Sequence, residues 1–254
     1  MNIYSELSDL LEFDKQAVFC IITHTEGSAP RKEGTKMIVL PDGKIEGTIG
    51  GGSIERQVIQ DALVVMKSGV PLKKTYKLED DLQMHCGGKV EVFFDPIAPR
   101  PDLYIFGGGH IGREVAYYAS DFDFRISIFD ERQNLLEDND LDNYNLVIED
   151  YKTAIEKAIF TDNTYVVIVT PKHEYDERIV TQLARKPFAY LGMIGSKRKV
   201  AEVKKNLKEQ HHFTDEEISR IDMPIGIKFN AVTPAEIALS IVAKLIDVKN
   251  TLHK

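Results

Sequence analysis

From Asp102 onward the chain repeats one pattern, and that pattern restricts the fold more than any other feature of its 254 residues. Short apolar runs, "LYIF", "RISIF", "LVI", "TYVVIV" and "AYLGMI", alternate with longer stretches of helical periodicity. Strands that are apolar at nearly every position bury both faces, which suits a parallel sheet covered by helices on either side. Such a β-α-β series predicts a doubly wound, Rossmann-like α/β domain. Its last segment, "TPAEIALSIVAKLI", predicts a helix capped by Thr233, with Pro234 in the first turn and Glu236 completing a capping box.

The first hundred residues follow a different pattern. "MNIYSELSDLLEF" predicts an amphipathic helix through Ile3, Leu7, Leu10 and Leu11, and "QAVFCIITHT" predicts a strand. "TKMIVLPDGKIEGTIG" reads as two strands around the Pro41, Asp42, Gly43 turn. "SIERQVIQDALVVMKSG" places Ile54, Val58, Ala62, Val65 and Met66 on one helical face, with Gly69 and Pro71 as its stop. "KVEVFFDPI" returns to strand, and the two prolines of "IAPRP" mark a linker. These elements predict a smaller α+β domain over residues 1–98, ahead of a Rossmann-like domain over residues 99–254.

Composition excludes several classes. No apolar run reaches the roughly 18 residues that span a bilayer, so a soluble chain with no membrane partner is expected. The N-terminal stretch lacks the basic region and apolar core of a signal peptide, and export is not expected. Two cysteines, Cys20 and Cys86, are too few for a disulfide framework and fit a reducing cytoplasm. A net charge of −8 argues against a nucleic-acid surface. The short basic clusters "APRKEGTK" and "GSKRK" suit one small anion at most.

Glycine turns carry the candidate chemistry. "YIFGGGHIGREVA" has the G-x-G-x-x-G spacing at Gly107, Gly109 and Gly112, between a predicted strand and a predicted helix. Such glycines allow a tight turn and close approach of a pyrophosphate to the helix N-terminus. Asp130 ends the next strand, where such folds place the acid that hydrogen-bonds an adenosine ribose. These residues predict NAD or a related nucleotide, with NAD favoured over NADP because the Asp130 carboxylate would repel a 2′-phosphate, although Arg132 leaves some room for one; the alternative is a packing joint that binds nothing. His110 could meet a phosphate or merely start the helix.

"GMIGSKRK" offers a second turn, through Gly195 and Ser196, to another anionic group, with a solvated basic helix start as the alternative. "TPKHEYD" places His173 and Asp176 beside the cleft, where His173 is either a proton carrier or an exposed loop residue. In the first domain Gly50, Gly51 and Gly52 precede a helix whose first turn holds Glu55. They form either an anion nest, supplemented by Arg31 and Lys32, or a tight strand-to-helix joint. Cys86, followed by Gly87 and Gly88, is either a thiolate ligand for a soft metal or a small buried residue at a strand start. Cys20, inside "VFCII", reads as core.

Taken together, "GSAPRKEGTKMIV", "GKIEGTIGGGSIE", "MHCGGKVEVFF", "LYIFGGGHIGREVA", "LGMIGSKRK" and "PIGIKFNAVTPAEIALSIVAKLI" resemble the XdhC/CoxI family, accessory proteins of xanthine dehydrogenase-like molybdenum hydroxylases. The resemblance implies a homodimeric chaperone that binds molybdopterin cofactor, protects it during sulfuration by a cysteine desulfurase, and delivers it to the apo-hydroxylase. No turnover is implied. The family's C-G-G cysteine falls on Cys86, making it the expected metal-facing ligand. Its G-G-G-x-x-E turn falls on Gly50 to Gly52 and Glu55, and its nucleotide-type turn on Gly107 to Gly112.

One departure concerns the family's T-H-x-H-x-x-D pattern: Pro171 replaces the first histidine, leaving His173 and Asp176. Two other functions compete, an NAD-dependent oxidoreductase and a non-catalytic nucleotide sensor. A complete xanthine dehydrogenase is excluded, because two cysteines cannot supply its iron–sulfur clusters.

Overall fold

A computed structural model describes residues 2–78, 87–137 and 141–252. The chain divides into two compact units, Met1–Pro99 and Arg100–Leu252.

The first unit is built on a five-stranded antiparallel sheet. Its strands are β1 (Ala17–Glu26), β2 (Lys36–Val39), β3 (Ile45–Gly47), β4 (Leu72–Lys77) and β5 (Lys89–Ile97), in the order β3-β2-β1-β5-β4. Alternation along β1 sends Val18, Cys20 and Ile22 to one face, where they meet Ile54, Val58, Ala62 and Val65 of helix α2 (Gly52–Ser68) in a single core. The helix ends where the sequence indicates, with Gly69 in the left-handed conformation. On the opposite face, helix α1 (Ile3–Glu12) brings Leu10 to Ala17 and Ile38, with Ile3 and Leu7 packed alongside.

Two details depart from the sequence reading. Leu11 is 58 % exposed, because only the narrow stripe through Ile3, Leu7 and Leu10 reaches the sheet. Strand β4 was not expected at all. It is an edge strand in which only Tyr76 is buried, so "LKKTYK" carries no alternating apolar signal.

The second unit holds a six-stranded, wholly parallel sheet: β6 (Asp102–Phe106), β7 (Arg125–Asp130), β8 (Asn145–Ile148), β9 (Thr164–Ile168), β10 (Tyr190–Met193) and β11 (Ile221–Asp222). Their order is β11-β10-β9-β6-β7-β8. Counted within the unit this is 6-5-4-1-2-3, the doubly wound order whose direction reverses between its first and fourth strands, here β6 and β9. Helices α3 (His110–Ala119) and α8 (Pro234–Leu252) cover one face; α4 (Tyr151–Lys157), α5 (His173–Leu183), α6 (Lys197–Glu209) and the short α7 (Asp215–Ser219) cover the other.

Along β6, Leu103 and Ile105 enter one core and Tyr104 and Phe106 the other, which is why the strand reads as continuously apolar. The capping box at α8 forms, with the Glu236 carboxylate accepting from Thr233 N–H and the Thr233 hydroxyl from Glu236 N–H. Among the described residues no helix is long and apolar enough to cross a membrane.

Candidate functional site

In the first unit three segments far apart in sequence meet at one end of the sheet. The β1–β2 connection carries Gly27 to Gly34, the β3–α2 connection carries Thr48 to Gly51, and Gly87–Gly88 lead into β5. Gly88 lies so close to the first of these that a Cβ there would stand 2.3 Å from Ser28 O and 2.8 Å from Glu26 O. The ring of Pro30 lies against Gly50, where a Cβ would be 2.7 Å from Pro30 Cγ. Gly51, at φ 74° and ψ −179°, occupies a conformation open essentially to glycine alone.

Glu55 explains how this turn is held. From the first turn of α2 its Oε2 accepts the Thr48 hydroxyl at 2.5 Å, Gly51 N–H at 3.2 Å and Ile49 N–H at 3.3 Å. Gly50 N–H donates to the Thr48 hydroxyl oxygen at 3.2 Å. Two N–H groups of the turn, those of Ile49 and Gly51, are thus turned onto a carboxylate of the chain itself, and that of Gly50 onto a hydroxyl. Positive charge nearby comes instead from Arg31 and Lys32, both exposed. Cys86, the expected metal-facing thiol, lies outside the described residues.

In the second unit the Gly107–Gly112 turn joins β6 to α3 at the reversal point of the sheet. Gly107 has φ +113° and a Cβ on it would stand 2.5 Å from Val169 O, while one on Gly112 would stand 1.9 Å from Gly107 O. Both are required by close packing. Gly109, the N-cap of α3, is different: the nearest atom to a Cβ there is Arg132 Nη2, at 3.8 Å. His110 opens the helix and is exposed.

Asp130, at the end of β7, is 1 % exposed. Burial pushes its carboxyl upward, but the Arg132 side chain and the N–H groups of Gly108 and Arg132 outweigh that and hold it below the usual carboxylate value. Arg132 is correspondingly raised by its hydrogen bond to Asp130.

On the far side of the reversal point, Thr170 follows β9 and is tied to Asp176 of α5. The carboxylate accepts Thr170 N–H at 3.0 Å and the Thr170 hydroxyl at 2.5 Å, and pairs with Lys199 of α6. Asp176 is 0 % and Lys199 9 % exposed, and Lys199 Nζ also donates to Ile194 O at 3.2 Å. Ser196 caps α6, its hydroxyl accepting Lys199 N–H at 3.3 Å, and Gly195 packs on the Lys199 side chain. A cavity of about 360 Å³ opens here, lined by Glu174, Glu177, Ser196, Arg198, Lys199 and Glu202.

Sequence reasoning offered this turn either as an anion site or as a solvated basic helix start, gave Lys199 no role, and missed the buried pair. Its signal would have been an acid and a lysine each in the first turn of a helix following a parallel strand. His173 is the first residue of α5. Among the described residues no cluster of His, Cys, Asp or Glu is arranged to hold a metal ion.

Strand order and glycine turn define the second unit as a Rossmann-type α/β domain, preceded by an α+β unit with a glycine-lined turn cluster. Residues 103–245 match the model of the XdhC Rossmann domain, and residues 10–77 that of the XdhC and CoxI family. The chain belongs to the XdhC/CoxI family.

Among its relatives is the uncharacterized protein YqeB of Escherichia coli (strain K12), 32 % identical over 98 % of this chain and 47 % of that protein; the chain thus spans about half of YqeB. A probable xanthine dehydrogenase subunit of Bacillus subtilis (strain 168) is 22 % identical, with 98 % of each covered. The molybdenum cofactor insertion chaperone PaoD of Escherichia coli (strain K12) is 26 % identical, covering 94 % of this chain and 85 % of PaoD. A crystal structure described as a xanthine dehydrogenase from Bacillus halodurans superposes with a TM-score of 0.54 at 23 % identity, over 99 % of this chain and 96 % of that one. That likeness speaks to the fold.

Proposed function

We propose that this chain is a molybdenum cofactor accessory protein: it holds molybdopterin cofactor as cargo and delivers it, after sulfuration by a cysteine desulfurase, to a xanthine dehydrogenase-like molybdenum hydroxylase. The observation that carries the reading is its likeness to PaoD along nearly its whole length, in a family whose relatives are named for xanthine dehydrogenase and for cofactor insertion. The first unit supports it. A carrier needs an accessible surface that grips and releases, and here three glycine-bearing segments converge beside the exposed cations Arg31 and Lys32.

In this reading Cys86 supplies a thiolate to the metal, Gly87 and Gly88 keep side-chain bulk away from the cargo, and Arg31 and Lys32 face its phosphate. Gly50 to Gly52, held by Glu55, shape the remaining wall. The second unit, taken by itself, offers Gly109 and His110 at the turn shaped by Gly107 and Gly112, with Asp130 behind it, and His173, Gly195 and Ser196 around another turn, as candidate sites for a nucleotide. The chain acts as a homodimer and carries out no turnover of its own.

The test is reconstitution. Apo-hydroxylase is supplied with free cofactor in the presence and absence of this protein, and hydroxylase activity is followed over time. Faster and fuller recovery with the protein supports delivery; equal recovery refutes it. In parallel, Cys86→Ser protein from a cofactor-producing host should retain less pterin, read by fluorescence after oxidation, at an unchanged thermal midpoint. Full retention by this variant removes the thiolate from the site.

A further inference from the structure

An acid ending the second strand of a dinucleotide-binding sheet serves the ribose only if its oxygens face the crevice with lone pairs to spare. Asp130 does not meet that condition. Its Oδ2 accepts Gly108 N–H at 2.7 Å and Arg132 Nη2 at 2.8 Å; its Oδ1 accepts Arg132 Nε at 2.9 Å and Arg132 N–H at 3.0 Å. Four N–H donors occupy the roughly four acceptor positions of a carboxylate, and the side chain is 1 % exposed. The forked, two-bond pairing fixes the plane of the guanidinium. It sets Nη2 3.8 Å from where a Cβ on Gly109 would stand, beside the one fingerprint glycine that close packing leaves open. The Arg132 side chain is 40 % exposed, so the outer edge of the guanidinium faces solvent at that turn.

We infer that Asp130 is a positioning residue and not a ribose acceptor: it locks Arg132 beside the Gly107–Gly109 turn, so that the crevice selects a phosphate-bearing group over the ribose diol of NAD. The chemistry is one of donors and acceptors. A ribose diol brings hydroxyl donors that need acceptors, and Asp130 has none to offer; phosphate oxygens accept from a guanidinium as charge-assisted bonds. Specificity arises because the unsuitable ligand leaves its polar groups unpaired. This goes beyond the delivery role and stands independently of it, since the ligands tested are not molybdenum compounds.

Calorimetric titration of the full chain at low salt with NAD, NADP and inorganic pyrophosphate tests it. Wild-type protein should bind NADP at least about tenfold more tightly than NAD, and Arg132→Ala should abolish that preference. Asp130→Asn gives the decisive sign. If Asp130 only positions Arg132, this variant weakens NADP binding although it removes a negative charge; a carboxylate facing the 2′-phosphate would instead repel it, and the variant would bind more tightly. Arg132→Lys, which keeps the charge without the fork, should recover part of the affinity, and melting curves confirm that each variant is folded. Equal or tighter binding of NAD by the wild type, or tighter NADP binding by Asp130→Asn, overturns the inference. So does absence of binding of both nucleotides and of pyrophosphate.

Discussion

Replacing Gly88 with alanine tests whether the glycine after Cys86–Gly87 is held by the fold as well as by any cargo. The added Cβ would lie 2.3 Å from Ser28 O, 2.8 Å from Ser28 C and 2.8 Å from Glu26 O, all backbone atoms. The shortest of these is more than 1 Å inside the ~3.5 Å optimum for non-bonded heavy atoms. No rotamer relieves it, so the backbone must move. The neighbourhood resists, because Glu26 pairs with Lys89 in the β1–β5 ladder and Gly88 O accepts Leu78 N–H at 2.9 Å.

Overpacking of this kind costs about 1–3 kcal/mol, and each ladder hydrogen bond lost with the displaced strand end about 1 kcal/mol. We expect a loss of about 3 kcal/mol confined to the first unit. Cys20 provides the readout. It is fully buried in β1, and burial pushes its thiol up to about 12, so a disulfide reagent reaches it only when the unit opens. In a Cys86→Ser background Cys20 is the sole thiol. Gly88→Ala should then speed its labelling by about two orders of magnitude at neutral pH, while Val64→Ala, at a position 66 % exposed, leaves the rate within about twofold. A rate within threefold of the parent for Gly88→Ala would refute the packing argument.

Three further outcomes follow from the same geometry. Glu55→Ala strands the Thr48 hydroxyl and the N–H groups of Ile49 and Gly51, and should destabilise the first unit by about 1–2 kcal/mol by the same thiol assay; Glu55→Gln, which keeps an acceptor oxygen, should lose less. Lys199→Met leaves Asp176 as an uncompensated buried charge and should cost about 3–5 kcal/mol in urea unfolding, whereas the double variant with Asp176→Asn should recover a large part of it. Because the folded pKa of Asp130 lies below its unfolded value, its contribution is complete above the unfolded value of about 3.9 and is lost as pH falls through the folded one. The urea-midpoint difference between wild type and Asp130→Asn should therefore be largest at pH 6 and shrink on acidification below about pH 4; a pH-independent difference would refute the linkage.

The architecture was legible because burial leaves a periodic trace. The α2 face through Ile54, Val58, Ala62, Val65 and Met66, the apolar parallel strands and the Thr233–Glu236 capping box follow from local spacing, and each stands as read. Elements without such a trace were not legible. β4 buries one side chain, β11 has two residues, and α7 has five. Leu11 belongs to the helical stripe in sequence, yet which part of a stripe meets the sheet depends on the width of the contact.

The glycine turns were visible as motifs, but their use was not. Sequence spacing marks where a backbone can turn and where an acid follows a strand, since those depend on neighbours along the chain. It does not record that Glu55 accepts from the Thr48 hydroxyl and the N–H groups of Ile49 and Gly51, that Gly88 lies on Ser28, or that Lys199 reaches Asp176 across two helices. Hydrogen-bond capacity is finite, and which donors exhaust an acceptor is settled by three-dimensional proximity. So the sequence by itself determined the strands and helices that leave a periodic trace and the positions of the glycine turns. Only the tertiary structure decided that the carboxylates of Glu55 and Asp130 are turned inward as internal partners, leaving the guanidinium of Arg132 at the mouth of the Gly107–Gly109 turn.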